Sequence, residues 1–281
     1  MTQKPKPRAF VKMFATGNDF VLLDALRWSP PVPLNKVARQ ILNRPFGIGG
    51  DQLLLLSKSR RKEGDFKAQF FNPDGSEAEM CGNGIRALAK YIFDHKISSK
   101  KNISFETISG FRGVRQHGKQ YIVNMGTPAI KGKEIGINLN GRVINRPLKM
   151  EGREFRITCS GFGNPHCVIF VDRLKEFPVE KFGPMIEHYH AFPRRINVEF
   201  VELIGDHEVN MRVWERGTGE TQGCGTGACA VAVAAVLNGH ASKELAVNMP
   251  GGKVNVLWER KTNEVTLSGT AQEIFSGVVE V

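Results

Sequence analysis

Two stretches of the chain share one design. EMCGNGIRALAKYIF at 79–93 and QGCGTGACAVAVAAV at 222–236 each run cysteine, glycine, one further residue, a second glycine, and then an apolar segment. At helical spacing, Ile85, Ala87, Leu88, Ala89, Tyr91, Ile92 and Phe93 occupy nearly every side of the first segment. Residues 228–237 do so completely in the second. A helix lying on a protein surface keeps a polar stripe toward water, and a helix without one must be enclosed. The chain therefore has to build, twice, a sheet that can surround a helix.

The remaining sequence supplies that sheet. Short β-type runs recur at FVKMF (10–14), FVLLD (20–24), QLLLLS (52–57), FKAQFF (66–71), NISFET (102–107) and YIVNMG (121–126). Turn signals such as Asn72-Pro73-Asp74-Gly75 separate them. After a polar stretch near 131–150 the series resumes with FRITCS, HCVIFVD, INVEFVELI, EVNMRVWE, KVNVLWE and EVTLSG. Many short strands with few helices predict an α+β chain with barrel-like or sandwich-like sheets. Further helices near 34–43 and 179–190 read as peripheral. The two halves also echo each other in TGNDFVLLD (16–24) and FGNPHCVIFVD (162–172), each a Gly-Asn turn feeding a strand. Gly163 follows Gly17 at nearly the interval by which Cys224 follows Cys81, which predicts a duplicated domain. The expected division is a first domain over 1–126, alone or with the C-terminal strand, a connecting region at 127–153, and a second domain over 154–281.

Charge and cysteine usage exclude several classes of function. The formal net charge is +11. However, the basic residues fall in scattered groups: Lys4, Lys6 and Arg8; Arg60, Arg61 and Lys62; Lys100 and Lys101; Arg194 and Arg195. No basic stripe interleaved with aromatic residues is present, so a solvated basic surface is expected rather than a nucleic-acid partner. Such a field favours an anionic small molecule. No apolar run approaches the ~20 residues of a membrane span, and a membrane association is not expected. MTQKPKPRAF lacks an apolar leader core, which points to the cytoplasm. Five cysteines suit reduced thiols rather than a disulfide framework. There is no C-x-x-C, and Cys159, His166 and Cys167 do not have zinc-ligand spacing, so no metal is predicted.

Cys159, Cys167 and Cys229 read as small core hydrophobes. Cys81 and Cys224 differ because each stands at a helix mouth beside glycines that let a ligand approach the backbone. Unpaired N–H groups and the positive end of the helix dipole favour an anion there, and the same field is expected to lower the thiol pKa. Two identical acid/base groups suit inversion at one carbon: a thiolate removes a proton from one face and a thiol delivers one to the other. The chemistry is then racemisation or epimerisation of an amino acid. A Cys-His hydrolase assembled in space stays compatible with these residues, although none of the seven histidines shows a local partner signature. A nucleotide loop is disfavoured. Gly223, Gly225 and Gly227 do not form G-x-G-x-x-G, and FGIGGD lacks a P-loop Lys-Ser/Thr.

Six motifs sharpen this reading: KMFATGNDF (12–20), FGIGGDQ (46–52), FNPDGSEAEMCGNGIR (71–86), GNPHCV (163–168), INVEFVE (196–202) and ERGTGETQGCGTGACA (215–230). Together they resemble the diaminopimelate epimerase family over essentially the whole chain. The resemblance implies two pseudo-symmetric domains, each a β-barrel-like sheet wrapped around a central buried α-helix. It also implies cofactor-independent interconversion of LL- and meso-diaminopimelate, which serves lysine and peptidoglycan precursor synthesis, and a homodimer. Cys81 and Cys224 match the acid/base pair. Gly82, Asn83, Gly225 and Thr226 match positions that hold the carboxylate of the reacting centre. Asn18, Gln52, Asn72, Asn164, Asn197, Glu215 and Arg216 match other substrate contacts, with Arg216 facing the distal carboxylate. His166 is expected beside the site, in an orienting or a packing role. Phe14-Ala15 and Gly223 depart from the family's commoner His-Gly and Ala. Racemisation of another amino acid such as histidine, or silent amino-acid binding on the same fold, remain alternatives.

Overall fold

The computed structural model describes residues 6–28 and 33–280, and Lys4 of the first basic cluster lies outside the described residues. In chain order the elements begin with β1 (Pro7–Ala15), β2 (Asn18–Asp24), α1 (Leu34–Ile41), β3 (Gln52–Lys58), β4 (Phe66–Phe71) and β5 (Glu77–Ala78). They continue with α2 (Gly82–Asp94), β6 (Asn102–Thr107), β7 (Gly110–His117), β8 (Gln120–Gly126), α3 (Gly132–Ile135), β9 (Arg146–Met150), β10 (Arg153–Gly161) and β11 (Pro165–Phe170). The last group is α4 (Val179–Glu187), β12 (Asn197–Gly205), β13 (Glu208–Glu215), β14 (Gly219–Thr221), α5 (Gly225–Leu237), β15 (Glu244–Met249), β16 (Gly252–Glu259), β17 (Glu264–Gly269) and β18 (Gln272–Glu280). The chain is α+β and clusters into two compact units: Met1–Val123 with Gly269–Val281, and Asn124–Ser268. Residues 127–153 carry α3 and β9 and group with the second unit, while β18 groups with the first.

In the first unit β1 pairs antiparallel with β2, β2 parallel with β3, β3 antiparallel with β4, and β4 parallel with β6. β7 and β8 follow as antiparallel neighbours, and β18 lies antiparallel along β1. β2 and β3 are buried in unbroken runs, FVLL and LLLL, because both faces of these strands are covered. Val21, Leu23, Leu53 and Leu55 point to one face, where they pack on Val37, Ala38 and Ile41 of α1. The opposite face meets α2, which touches β1, β2, β3, β4, β7 and β18. α1 shows the narrow apolar stripe of a helix with one wet side; α2 buries every residue from Gly82 to Ala89, the charged Arg86 included.

The second unit repeats these pairings. β10–β11 are antiparallel, β11–β12 parallel, β12–β13 antiparallel and β13–β15 parallel, with β16 and β17 antiparallel after them. Cys159, Cys167, Ile169, Val198 and Phe200 face α4, packing on Val179, Phe182 and Ile186. α5 lies against β10, β11, β12, β15 and β16 and is buried continuously from Gly225 to Ala235. Burying one such aliphatic or aromatic side chain contributes roughly 1.5–3 kcal/mol, and these two layers hold each unit together.

Candidate active site

Each cysteine of the repeated motif is the N-cap of its helix. Cys81 caps α2 in an extended conformation (φ −139°, ψ 109°), and its Sγ accepts the Gly84 N–H at 3.3 Å. Cys224 caps α5 at φ −130°, ψ 117°, and its Sγ accepts the Gly227 N–H at 3.4 Å. An N-cap normally offers a side-chain oxygen to the N2 or N3 amide. Here sulfur takes that place in both helices. The amides of Gly82 and Asn83, and of Gly225 and Thr226, occupy the first helical positions, which have no partner inside the helix.

In the first unit the expected site residues form two linked pairs. Gly17, at φ 85°, turns the chain into β2 so that Asn18 opens the strand. Asn18 Oδ1 accepts from Asn83 Nδ2 at 2.7 Å, and Asn18 Nδ2 donates to Asp51 Oδ2 at 3.2 Å. Arg86, buried one turn into α2, donates to Asn83 Oδ1 at 2.8 Å and Thr16 Oγ1 at 2.7 Å, which fixes the orientation of the Asn83 amide. Gln52 Nε2 donates to Asn72 Oδ1 at 2.9 Å, and Asn72 is held in its turn by Ser76. The buried Gln52 Oε1 has no hydrogen-bond partner.

The second unit uses the same entry. Gly163, at φ 94°, delivers Asn164 just before β11. Asn164 Nδ2 donates to Thr226 Oγ1 at 3.3 Å, and Thr226 Oγ1 lies 3.3 Å from Cys224 Sγ. His166 Nε2 lies 3.0 Å from Asn164 Oδ1, and His166 Nδ1 lies 2.6 Å from Glu199 Oε1, both within hydrogen-bond distance. His166 thus has an orienting contact as well as full burial. Glu199 is buried because it is the polar side chain of β12 on the α5 side; a Cβ at Gly227 would come within 2.8 Å of its Oε1. Nearby, Asn197 Oδ1 accepts the Arg216 backbone N–H at 2.9 Å, and Glu215 Oε1 accepts from Thr221 Oγ1 at 2.5 Å.

The electrostatics correct one expectation. Burial pushes the Cys224 thiol well above its ordinary value, and the charges of Glu215 and Glu199 add to the rise. The Thr226 hydroxyl and the Gly227 N–H oppose it without overcoming it. The helix dipole was expected to win; desolvation wins because the group is enclosed. Cys224 therefore rests as a thiol at neutral pH. Cys167 is also pushed up, by its hydrogen bond with Cys159 and by burial, as suits a core pair. Among the described residues, no group of three or more His, Cys, Asp or Glu side chains is arranged to hold a metal ion, and no helix is long and apolar enough to cross a membrane.

Glu199, Asp51, Thr221 and Arg86 were not singled out from sequence. The available signals were slight: one charged residue inside the apolar run INVEFV, and one arginine in an apolar helix.

Comparison with solved structures places this fold in a recognisable class. The chain is similar to a Bacillus anthracis phenazine biosynthesis protein of the PhzF family (TM-score 0.70, 15% identity, covering 98% of this chain and 100% of the other). It is also similar to a hydroxyproline epimerase from Agrobacterium vitis (TM-score 0.72, 14% identity, 99% and 92%). The profile of the diaminopimelate epimerase family matches residues 10–131 and 158–274. Relatives named diaminopimelate epimerase include that of Acetivibrio thermocellus, 43% identical over 97% of this chain and 98% of the relative, and that of Moorella thermoacetica, 41% identical over 95% and 98%. The chain belongs to the diaminopimelate epimerase family.

Proposed function

We propose that the protein is an isomerase that interconverts LL- and meso-diaminopimelate, using Cys81 and Cys224 as its two acid/base groups. The observation that carries the mechanism is the sulfur N-cap at both α2 and α5. One thiolate takes the α-hydrogen; the electron pair left behind spreads into the adjacent carboxylate, and a thiol returns a proton to the opposite face. In the direction where Cys224 acts as the thiol, Cys81 is the base, and the roles exchange in reverse. Helix-start amides of Gly82, Asn83, Gly225 and Thr226 stabilise the charge that develops on the carboxylate. Asn18, Gln52, Asn72, Asn164 and Asn197, with Glu215, hold the ammonium groups and the chain. Arg216 presents its planar fork to the distal carboxylate.

The same reading includes a sheet closed around each buried helix, descent of the two units from one duplicated domain, a homodimer and action in the cytoplasm. The repeated pairings and the buried α2 and α5 support the first two. The reaction so written needs no cofactor or metal, so chelator and hydroxylamine are expected to leave activity unchanged. The decisive measurement incubates the protein with LL-diaminopimelate in heavy water. Meso product carrying deuterium at one α-carbon is the expected result; unlabelled, unchanged substrate would sink the reading.

A further inference from the structure

A buried carboxylate outside the cysteine network grips the segment that carries Arg216. Glu187 ends α4, and its side chain is 4% exposed. Its Oε2 accepts the indole N–H of Trp214 at 2.8 Å, and its Oε1 accepts the backbone N–H of Gly217 at 2.8 Å. The Arg195 guanidinium stands 3.7 Å from Oε1. Trp214 and Gly217 bracket Glu215 and Arg216, so one carboxylate holds both ends of this segment. The indole is seated on α4 at Gly183, where an added Cβ would approach the ring within 2.6 Å. Inside the turn the Thr218 N–H donates to the Glu215 carbonyl at 3.0 Å.

The Arg216 side chain is exposed, and its Nη1 donates to the Arg194 carbonyl at 3.3 Å. A long exposed side chain has many rotamers, so where its fork points depends on how firmly its backbone is held. We infer that Glu187 is a positioning residue for substrate specificity: by accepting from Trp214 and Gly217 together, it fixes the turn that aims Arg216 at the distal carboxylate. This rests on the role given to Arg216 above. Both oxygens of Glu187 are taken up by Trp214 and Gly217, so it acts through the turn.

The chemistry of the grip supplies its test. Trp214 and Gly217 donate to different oxygens of Glu187, and glutamine would set an NH2 donor against one of them, so it cannot accept at both positions. Glu187→Gln is expected to raise KM for LL-diaminopimelate ~10-fold, about 1.4 kcal/mol of binding, with kcat within ~2-fold of wild type. Adding Trp214→Phe removes one donor and leaves the glutamine oxygen for Gly217. The doubly substituted protein should return to within ~3-fold of the wild-type KM; a larger rise overturns the inference, even if Glu187→Gln alone fails to fold. In an Arg216→Gln background, Glu187→Gln should change KM no further, because both act through one contact. A further loss there, or a fall in kcat matching the rise in KM, would show a merely structural role. Wild-type protein inactive on diaminopimelate defeats the proposed function; active wild type indifferent to Glu187→Gln defeats only this inference.

Discussion

Cys224 shows how enclosure can reverse the sign of a local effect. The helix mouth and two donors favour thiolate, yet burial and two carboxylates keep the proton on. Removing one carboxylate should therefore release it. In Glu215→Gln, alkylation of Cys224 by iodoacetamide is expected to run faster than in wild type at the same pH, since a lower thiol pKa means more thiolate. Mass-resolved labelling with an unchanged or slower rate would contradict that account. Arg216→Lys tests a different property of a single side chain. It keeps the charge and loses the fork, so kcat/KM should fall ~10- to 100-fold. Near-normal kcat/KM in a steady-state assay would remove the bidentate role. At this scale the cysteines could be proposed from a local repeated motif, and the asparagines and Arg216 from motifs that resemble the family's. Glu199 and Glu187 were not, since a buried carboxylate is recognised by what packs over it: α5 over one, Trp214 over the other.

Between β1, β2 and the start of β3, four charged residues tie the elements of the first unit together. Asp19 accepts from Lys12 at 2.6 Å and Arg44 at 2.7 Å, and Arg44 also reaches Asp51 at 2.8 Å. The Lys12 ammonium further donates to the Gly49 carbonyl. Burial would raise the Asp19 carboxyl, but the hydrogen bonds and charges of Arg44 and Lys12 outweigh it and hold it at about 2. A carboxyl depressed in the folded state stabilises fully above its unfolded value and stops doing so as pH falls through its folded one. The stability advantage of wild type over Asp19→Asn should thus persist at pH 5 to 7 and shrink as the pH is lowered from ~4 toward ~2. Urea unfolding across that range would reveal it, and a constant difference would refute it. Among elements, β4 and β6 were read with the limits they have, because their ends are marked by turns or charge. β7 was missed: GFRGVRQH buries only Val114, so it shows no alternation to detect. β5 and β14 are too short to carry any pattern.

Over the whole molecule, the nearly equal intervals between motifs go with a repeated order of strand pairings. Each unit runs antiparallel, parallel, antiparallel, parallel, with one amphipathic helix before the first parallel partner and one largely buried helix before the second. What spacing alone did not locate is the register of β18, whose partners run from Pro7 opposite Glu280 to Phe14 opposite Gln272. That pairing is chosen by the open side of β1, a long-range property. Deleting residues 272–280 should therefore lower hydrogen-exchange protection in β1 and α2, far away in sequence, more than in α5. Equal loss in α2 and α5 would argue against the division into units.

The return of β18 has a consequence for how the protein is made. A ribosome releases every strand of Asn124–Ser268 before it releases β18, so the unit begun first is finished last. Until then β1 presents an unpaired edge, with Phe10 and Val11 along it, to whatever else is in the cell. Newborn chains stalled before residue 272 are the ones a chaperone should find.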